Sequence, residues 1–207
     1  MDSLPSAPPV ALPLGARHAI EAVVIGASAG GVQALLVLLS GLPAHFRLPI
    51  VVVLHLPEDR ESQLAEIFRQ RLPIAVREAA DKESIAPATL YFAPPGYHLL
   101  VEMERTFSLS CEAPVHYARP SIDLLMASAA DAYGAGLAGI VLTGANSDGA
   151  DGLAKIGQRG GLTVVQDPAE AAAPTMPQAA IRQRPPTLIL TLADIRSLLL
   201  QLDHPSC

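Results

Sequence analysis

Three side chains suited to nucleophilic catalysis each follow a predicted buried strand. Ser28 follows the first strand of the chain, His55 ends the second, and Asp148 lies just beyond the strand Leu137–Leu142. A serine hydroxyl is a weak nucleophile at neutral pH unless a histidine takes its proton and a carboxylate orients that histidine. Because the carboxyl ends of parallel strands meet at one edge of a sheet, we expect these side chains to converge there.

The serine lies in a glycine-rich turn, residues 26–31, with the sequence GASAGG. Glycines allow the backbone to bend sharply and to come close to a ligand. The helix predicted to begin here directs backbone N–H groups and the positive end of its dipole toward the serine. The amides of Ala29 and Gly30 are therefore candidates for stabilising a tetrahedral oxyanion, where one lost donor typically costs about 3–4 kcal/mol.

The same turn resembles the dinucleotide-binding fingerprint G-x-G-x-x-G, which is the main alternative interpretation. Ser28 occupies the central glycine position, where the backbone comes closest to a pyrophosphate. The acidic residue expected at the end of the second strand is absent, and His55 stands there instead. A phosphate-binding turn and a purely structural turn both stay open at this point.

The order of the three side chains bears on the fold. The G-x-S-x-G match suggests an α/β-hydrolase, in which the histidine comes last, but no suitable late histidine exists because His204 lies in the polar tail. The order Ser, His, Asp favours a different fold with the same chemistry. Taken singly, His55 fits a hydrogen-bonded core residue, and Asp148 fits a turn residue or the N-cap of the next helix. Their equivalent positions at strand ends favour a site.

Predicted strands and helices alternate along most of the chain. Strands are predicted at 19–25, 50–54, 137–142, 162–165 and 187–190, and helices at 32–40, 61–71, 121–133, 149–159 and 193–202. Short strand-like runs at 74–77, 89–92, 98–102 and 106–110 are interpreted as antiparallel hairpins attached to the main sheet. The pattern predicts an α/β fold: a doubly wound, mostly parallel sheet in a Rossmann-like three-layer arrangement, with an antiparallel β-hairpin.

Composition narrows the class of protein. Of 207 residues, 50% are hydrophobic and only 4% aromatic, so the core must be aliphatic. The net charge of −6 without a basic stripe argues against nucleic acid as a partner. No apolar run reaches the ~18–20 residues that span a bilayer. Two cysteines without metal-ligand spacing favour a reducing cytoplasm and predict no metal. We expect residues 1–18 to be a disordered leader and 203–207 a tail.

Several separated motifs resemble the catalytic domain of the chemotaxis protein-glutamate methylesterases, the CheB type. The resemblance runs from about Ala19 to about Leu202, and this range is the expected catalytic domain. Each motif is modest alone, but their shared order is specific. They read IGASAGG at 25–31, HLP at 55–57, APPGYH at 93–98, RPSID at 119–123 and LTGANSDG at 142–149.

The resemblance implies a cofactor-free serine hydrolase whose triad maps onto Ser28, His55 and Asp148. Such enzymes hydrolyse γ-glutamyl methyl esters on the cytoplasmic helices of chemoreceptors, releasing methanol, and also deamidate certain receptor glutamines. The family usually carries a receiver domain of about 120 residues before the esterase. Only 18 residues precede the first strand here, so we expect no receiver in this chain and possible control by a receiver protein in trans.

Several residues depart from the family's pattern close to the triad. Ala29 stands where threonine is usual, Leu54 replaces glutamine, and the acid loop at 144–149 reads GANSDG rather than GMGNDG. We expect activity to persist with an altered rate or substrate preference. His98 and Arg119 are secondary site candidates. His98 also fits a structural hydrogen bonder, and Arg119 also fits a surface salt bridge.

Overall fold

The computed structural model describes Val10, residues 19–55 and residues 64–203. Nine strands lie in this part of the chain: β1 (Ala22–Ala27), β2 (Ile50–Leu54), β3 (Ala75–Glu78), β4 (Thr89–Phe92), β5 (His98–Val101), β6 (Phe107–Ser110), β7 (Leu137–Val141), β8 (Leu162–Gln166) and β9 (Leu188–Leu190). Seven of them form a parallel sheet in the order β3-β4-β2-β1-β7-β8-β9, and β5 and β6 form a separate antiparallel pair.

Helices cover both faces of the sheet: α1 (Gly31–Leu39), α2 (Leu64–Arg69), α3 (Ile122–Tyr133), α4 (Ala150–Gln158), α5 (Thr175–Gln183) and α6 (Leu192–Asp203). Successive strand residues point to opposite faces, so each strand contributes to two cores. In β1, Val23 and Ile25 pack with α1, α2 and α6, whereas Ala22 and Val24 pack with α3, α4, α5 and the β5–β6 pair. The result is the expected three-layer α/β fold.

The order in which successive strands are added to the sheet reverses at the central strand β1. It pairs with β2 on one side and with β7 on the other, both parallel. The sheet therefore extends from β1 toward β3 on one side and toward β9 on the other. In doubly wound sheets this switch point leaves a crevice at the carboxyl ends of the strands, where ligands bind.

The interpretation of residues 74–110 as antiparallel hairpins was wrong for its first half. β3 and β4 pair parallel with each other, and β4 pairs parallel with β2. Only β5 and β6 are antiparallel, and they form a sheet of their own and not, as expected, a hairpin attached to the main sheet. Short strand-like runs do not reveal their direction, because the same alternation of side chains fits either pairing. Residues 79–88 provide a connection long enough for a parallel return.

Other elements differ from the predictions in detail. Helix α5 was not predicted from the sequence. Pro174 precedes this helix and Pro177 lies in its first turn, where proline is tolerated. Asp203, assigned to the tail, is the buried last residue of α6. The predicted leader at 1–18 apart from Val10, the last two residues of the motif at 55–57, the start of the predicted helix at 61–63, and residues 204–207 lie outside the described residues. Among those described, no helix is both long and apolar enough to cross a bilayer.

Candidate active site

The three predicted side chains come from adjacent strand ends. Ser28 directly follows β1, His55 directly follows β2, and Asp148 lies in the loop between β7 and α4. Backbone hydrogen bonds hold these ends together, from the amide of His55 to the carbonyl of Ala27 (3.1 Å) and from the amide of Ser28 to the carbonyl of Thr143 (2.9 Å). The parallel pairing of β1 with both neighbours therefore positions the backbone of the site.

His55 and Asp148 form a hydrogen-bonded pair. His55 Nε2 lies 2.9 Å from Asp148 Oδ2, and the carboxylate is fully buried whereas 13% of the imidazole side chain is exposed. Because an ionised carboxylate only accepts hydrogen bonds, Nε2 must carry the proton. The other ring nitrogen, Nδ1, is then left with a free lone pair, as a general base requires.

The Asp148 carboxylate is saturated with donors. Besides His55, it accepts hydrogen bonds from the Ser121 hydroxyl (3.0 Å) and from the backbone amides of Ile122 (2.8 Å) and Asp123 (2.9 Å). Burial acts to raise the pKa of this carboxyl, but the hydrogen bonds from His55 and from these amides outweigh burial and lower the pKa. Asp148 is thus held ionised at the N-terminus of α3, and not at that of α4 as its place in the sequence suggested.

A pocket of about 380 Å³ opens beside this pair. It is lined by Ser28, His55, Asn146 and residues 116–120. Among the described residues, no hydrogen bond joins the side chains of Ser28 and His55. Such contacts are often long before substrate binds and shorten in the complex, so the shared pocket is the relevant observation.

The backbone after Ser28 has free N–H groups. Gly30 adopts a left-handed conformation (φ 80°) and precedes the first residue of α1, and both Ala29 and Gly30 are exposed. In the described part of the chain, neither amide donates a hydrogen bond to another protein group. A Cβ at position 30 would lie 2.7 Å from the Cβ of Ala172, so glycine is required on both grounds.

Thr143 fixes the outer part of the glycine turn, a role that the sequence analysis did not assign. Its hydroxyl donates to the carbonyl of Ala29 (2.8 Å) and accepts from the amide of Ala173 (2.8 Å). The amide of Thr143 donates to Gln166 Oε1. A threonine immediately beyond the strand-like run at 137–142 was the only available signal.

Asp123 is the second buried carboxylate of the site, and the sequence indicates it only as part of the RPSID motif at 119–123. Its Oδ1 accepts from the amides of Gly149 (2.9 Å) and Gly152 (2.7 Å) at the start of α4. Burial raises the pKa of Asp123 to about 6, and the nearby charge of Asp148 acts in the same direction. Asp148 therefore caps α3 while Asp123, from α3, caps α4.

The capping of α3 by Asp148 and of α4 by Asp123 requires close packing of the backbone around Ile122. A Cβ at Gly26 would lie 2.3 Å from Ile122 Cγ2, and a Cβ at Gly149 would lie 2.7 Å from the same atom. The two glycines thus leave room for the Ile122 side chain between β1 and the acid loop. This contact brings the N-terminus of α3 to Asp148.

The secondary candidates occupy different places. His98 is fully buried, and its Nε2 donates to the carbonyl of Ala113 (3.1 Å) while Nδ1 accepts from the amide of Ser121 (3.2 Å). It does not line the pocket, and its contacts are those of a structural hydrogen bonder. Arg119 does line the pocket and donates to the carbonyls of Cys111 and Glu112. It makes no ion pair within the described residues, contrary to the surface salt bridge considered above.

A hairpin at 115–118, with a two-residue turn, supplies part of the pocket lining. Val115 and Ala118 bridge its ends, and His116 and Tyr117 both have positive φ, as in the tight turns of hairpins. His116 Nε2 lies 3.6 Å from Asp123 Oδ2, and with Asp151 these residues place three potential metal ligands within 4.8 Å. Each carboxylate already has a donor, from α4 amides at Asp123 and from Gln183 at Asp151, so protein contacts account for the arrangement.

Comparison with known proteins gives consistent matches over nearly the whole described chain. The family model described as CheB methylesterase matches residues 23–199. A Leptospira interrogans protein, provisionally named protein-glutamate methylesterase/protein-glutamine glutaminase, is 45% identical over 89% of this chain and 95% of its own length. The protein-glutamate methylesterase FrzG of Myxococcus xanthus is 36% identical over 86% of this chain and 54% of its own length.

A solved structure has the same fold. The CheB methylesterase catalytic domain of Thermotoga maritima superimposes with a TM-score of 0.83 at 30% identity, covering 88% of this chain and 98% of that domain. The shared fold includes the parallel sheet and the antiparallel pair.

Proposed function

The chain belongs to the CheB methylesterase family, and we propose that it hydrolyses γ-glutamyl methyl esters of chemoreceptors through Ser28, His55 and Asp148. Its relatives are named protein-glutamate methylesterases and protein-glutamine glutaminases. The observation that carries the residue assignment is the 2.9 Å pair of His55 with the buried, ionised Asp148, in the pocket that Ser28 lines.

The reaction begins with attack by the serine. His55 Nδ1 takes the proton from the Ser28 hydroxyl while Oγ bonds to the ester carbonyl carbon, and the carbonyl oxygen becomes an oxyanion. The exposed amides of Ala29 and Gly30 at the start of α1 are free to donate to that oxyanion. Collapse of the tetrahedral intermediate breaks the bond to the methoxy oxygen, which leaves as methanol with the proton from His55.

Water completes the cycle by the same steps. His55 takes a proton from water as its oxygen attacks the acyl carbon, and the proton then passes to Ser28 Oγ as glutamate is released. With a glutamine side chain, ammonia leaves in the first half instead of methanol. In both halves Asp148 stays ionised and stabilises the imidazolium, which is consistent with its lowered pKa.

A non-catalytic module, binding a nucleotide or docking on receptors, is the second candidate function. It predicts no requirement for a base beside Ser28, so the His55–Asp148 pair argues against it. Labelling by a serine-directed fluorophosphonate, lost in Ser28→Ala, would support the hydrolase. Thermal stabilisation by NAD or ATP without labelling would support the binding module.

The remaining expectations on partners and location belong to this proposal. The substrate is the methylated cytoplasmic helix region of a chemoreceptor, so the protein would act in the cytoplasm. A receiver protein acting in trans is a candidate regulator. Co-purification of a receptor fragment, with and without a phosphorylated receiver, would test both partners.

Methanol release is the direct test of the proposed function. The purified chain is incubated with receptor methylated by its methyltransferase, and methanol is measured over time. We expect release by the native chain and a fall of at least ~10³-fold in Ser28→Ala and His55→Ala. A native chain that releases no methanol, or a Ser28→Ala variant as fast as the native one, would contradict the proposal.

A further inference from the structure

Asn146 lies in the acid loop and reaches into the pocket beside the proposed base. Its Nδ2 lies 3.5 Å from His55 Nδ1, and its Oδ1 accepts a hydrogen bond from the backbone amide of Asp148 at 3.2 Å. The side chain is partly buried and lines the same pocket as Ser28. It therefore touches both the loop that carries the acid and the space where the ester must bind.

The hydrogen bond from Asp148 fixes which end of the amide faces the pocket. The backbone N–H of Asp148 is a donor, so the atom opposite it must be the acceptor Oδ1. Reversing the amide would bring two donors together at 3.2 Å. The NH₂ group of Asn146 is consequently directed toward His55 and the pocket.

The contact between Asn146 Nδ2 and His55 Nδ1 is favourable before the reaction and becomes unfavourable during it. Before attack, Nδ1 carries a lone pair and accepts weakly from Asn146, because 3.5 Å is at the limit of a hydrogen bond. After the serine proton moves to Nδ1, two N–H groups face each other and the contact becomes unfavourable. The Nδ2 group of Asn146 therefore loses its acceptor on His55 when negative charge develops on the substrate oxygen, and it can donate to that oxygen instead.

We propose that Asn146 is a catalytic residue that donates a hydrogen bond from Nδ2 to the oxyanion of the tetrahedral intermediate. The proposal rests on the proposed function, whose chemistry generates that oxyanion. A donor that is stronger in the transition state than in the ground state raises kcat and leaves substrate binding largely unchanged.

Two variants separate a catalytic donor from a loop support. Asn146→Asp keeps an oxygen to accept from the Asp148 amide but has no N–H, whereas Asn146→Ala loses both groups. Ser147→Ala, at an exposed position of the same loop, is the matched control. kcat and KM are measured by methanol release from methylated receptor, at pH values where the rate of every variant has stopped changing with pH.

We expect kcat to fall ~10²- to 10³-fold in both Asn146 variants with KM changed less than about threefold, and no change in Ser147→Ala. The Asp variant should also retain the native melting temperature. A native kcat in either variant, a loss confined to KM, or recovery of kcat in Asn146→Asp would overturn the inference. Failure of the native chain itself to release methanol would instead contradict the proposed function.

Discussion

Two segments that line the pocket, the acid loop and the hairpin at 115–118, differ in burial and in hydrogen bonding. The acid loop, residues 144–149, holds Asp148 out of contact with solvent, and the carboxylate accepts hydrogen bonds from Ser121, Ile122 and Asp123. The hairpin at 115–118 projects outward, and Tyr117 at its tip is fully exposed. In the acid loop the carboxylate is held by buried partners, whereas the hairpin presents an aromatic side chain to solvent. We therefore propose that the chemistry depends on the acid loop and that receptor binding depends on the hairpin.

The largest expected effect comes from Asp148→Asn. The new NH₂ group would face the donors of His55 and Ile122, so His55 would turn to the tautomer whose Nδ1 carries the proton and cannot act as a base. We expect a ~10³- to 10⁴-fold loss in kcat and a free energy of unfolding lower by about 1–3 kcal/mol, because a buried donor loses its acceptor. Rates of methanol release and urea unfolding would measure the two effects.

Asp151→Asn is the control for that variant. Asp151 is an exposed acidic residue in the first turn of α4 that accepts a hydrogen bond from Gln183, so its replacement removes a nearby negative charge and leaves the hydrogen bonds of Asp148 in place. If Asp148→Asn were within tenfold of the native rate, the acid loop would not be the chemical side of the pocket.

Asp123→Asn tests the stability cost of the second buried carboxylate. The pKa of Asp123 is raised from 3.8 to about 6, so the folded protein binds this proton more tightly than the unfolded chain does. The native protein should therefore lose stability relative to the variant as pH rises from about 4 to above 6. The difference in free energy of unfolding should reach up to about 3 kcal/mol by pH 7.

His116 Nε2 lies 3.6 Å from Asp123 Oδ2, so the comparison is repeated in a His116→Gln background. Chemical unfolding at pH 4, 5, 6 and 7 gives the four differences. A difference that stays constant with pH in both backgrounds would show that folding does not raise the pKa of Asp123.

Gly26→Ala tests the packing that joins β1 to the acid loop. A methyl group 2.3 Å from Ile122 Cγ2 must displace the start of α3, and with it two donors to Asp148. We expect a loss of about 1–3 kcal/mol in the free energy of unfolding, partly recovered in the double variant with Ile122→Ala.

Gly157→Ala, within α4, is the matched control, because its new methyl group would contact the flexible side chain of Arg184. There we expect no loss, or a gain of up to about 1 kcal/mol from helix propensity. Equal losses at positions 26 and 157 would contradict the role of Ile122 packing.

Tyr117→Gly should have the smallest effect on folding and acts on the exposed side. Tyr117 has φ 61°, which glycine adopts without strain, so the free energy of unfolding should rise by less than about 1 kcal/mol. We expect KM for receptor to rise several-fold because an exposed aromatic contact is lost, with kcat unchanged. Lys82→Gly, at φ 62° and not among the residues that line the pocket, is the control and should leave KM unchanged.

Much of the fold followed from the sequence because its strongest signals are local. The apolar run at 50–54 became β2 with the predicted bounds, and the turn at 26–31 joins a buried strand to a helix as expected. The direction of β3 and β4 was not predictable, since it depends on which distant strand each one pairs with. The helix α5 was not predicted. Prolines lie at its start, and proline is tolerated at the start of a helix but not in its interior.

The candidate site divides in the same way. The sequence by itself determined that a serine, a histidine and an aspartate follow strands whose carboxyl ends meet, because the residue types and the strand–helix alternation are written along the chain. Only the tertiary structure decided that Asp148 caps α3 and Asp123 caps α4, and that Asn146 faces His55. Those contacts join residues that are distant in sequence or depend on the direction of a side chain in a loop, and no periodic pattern encodes either.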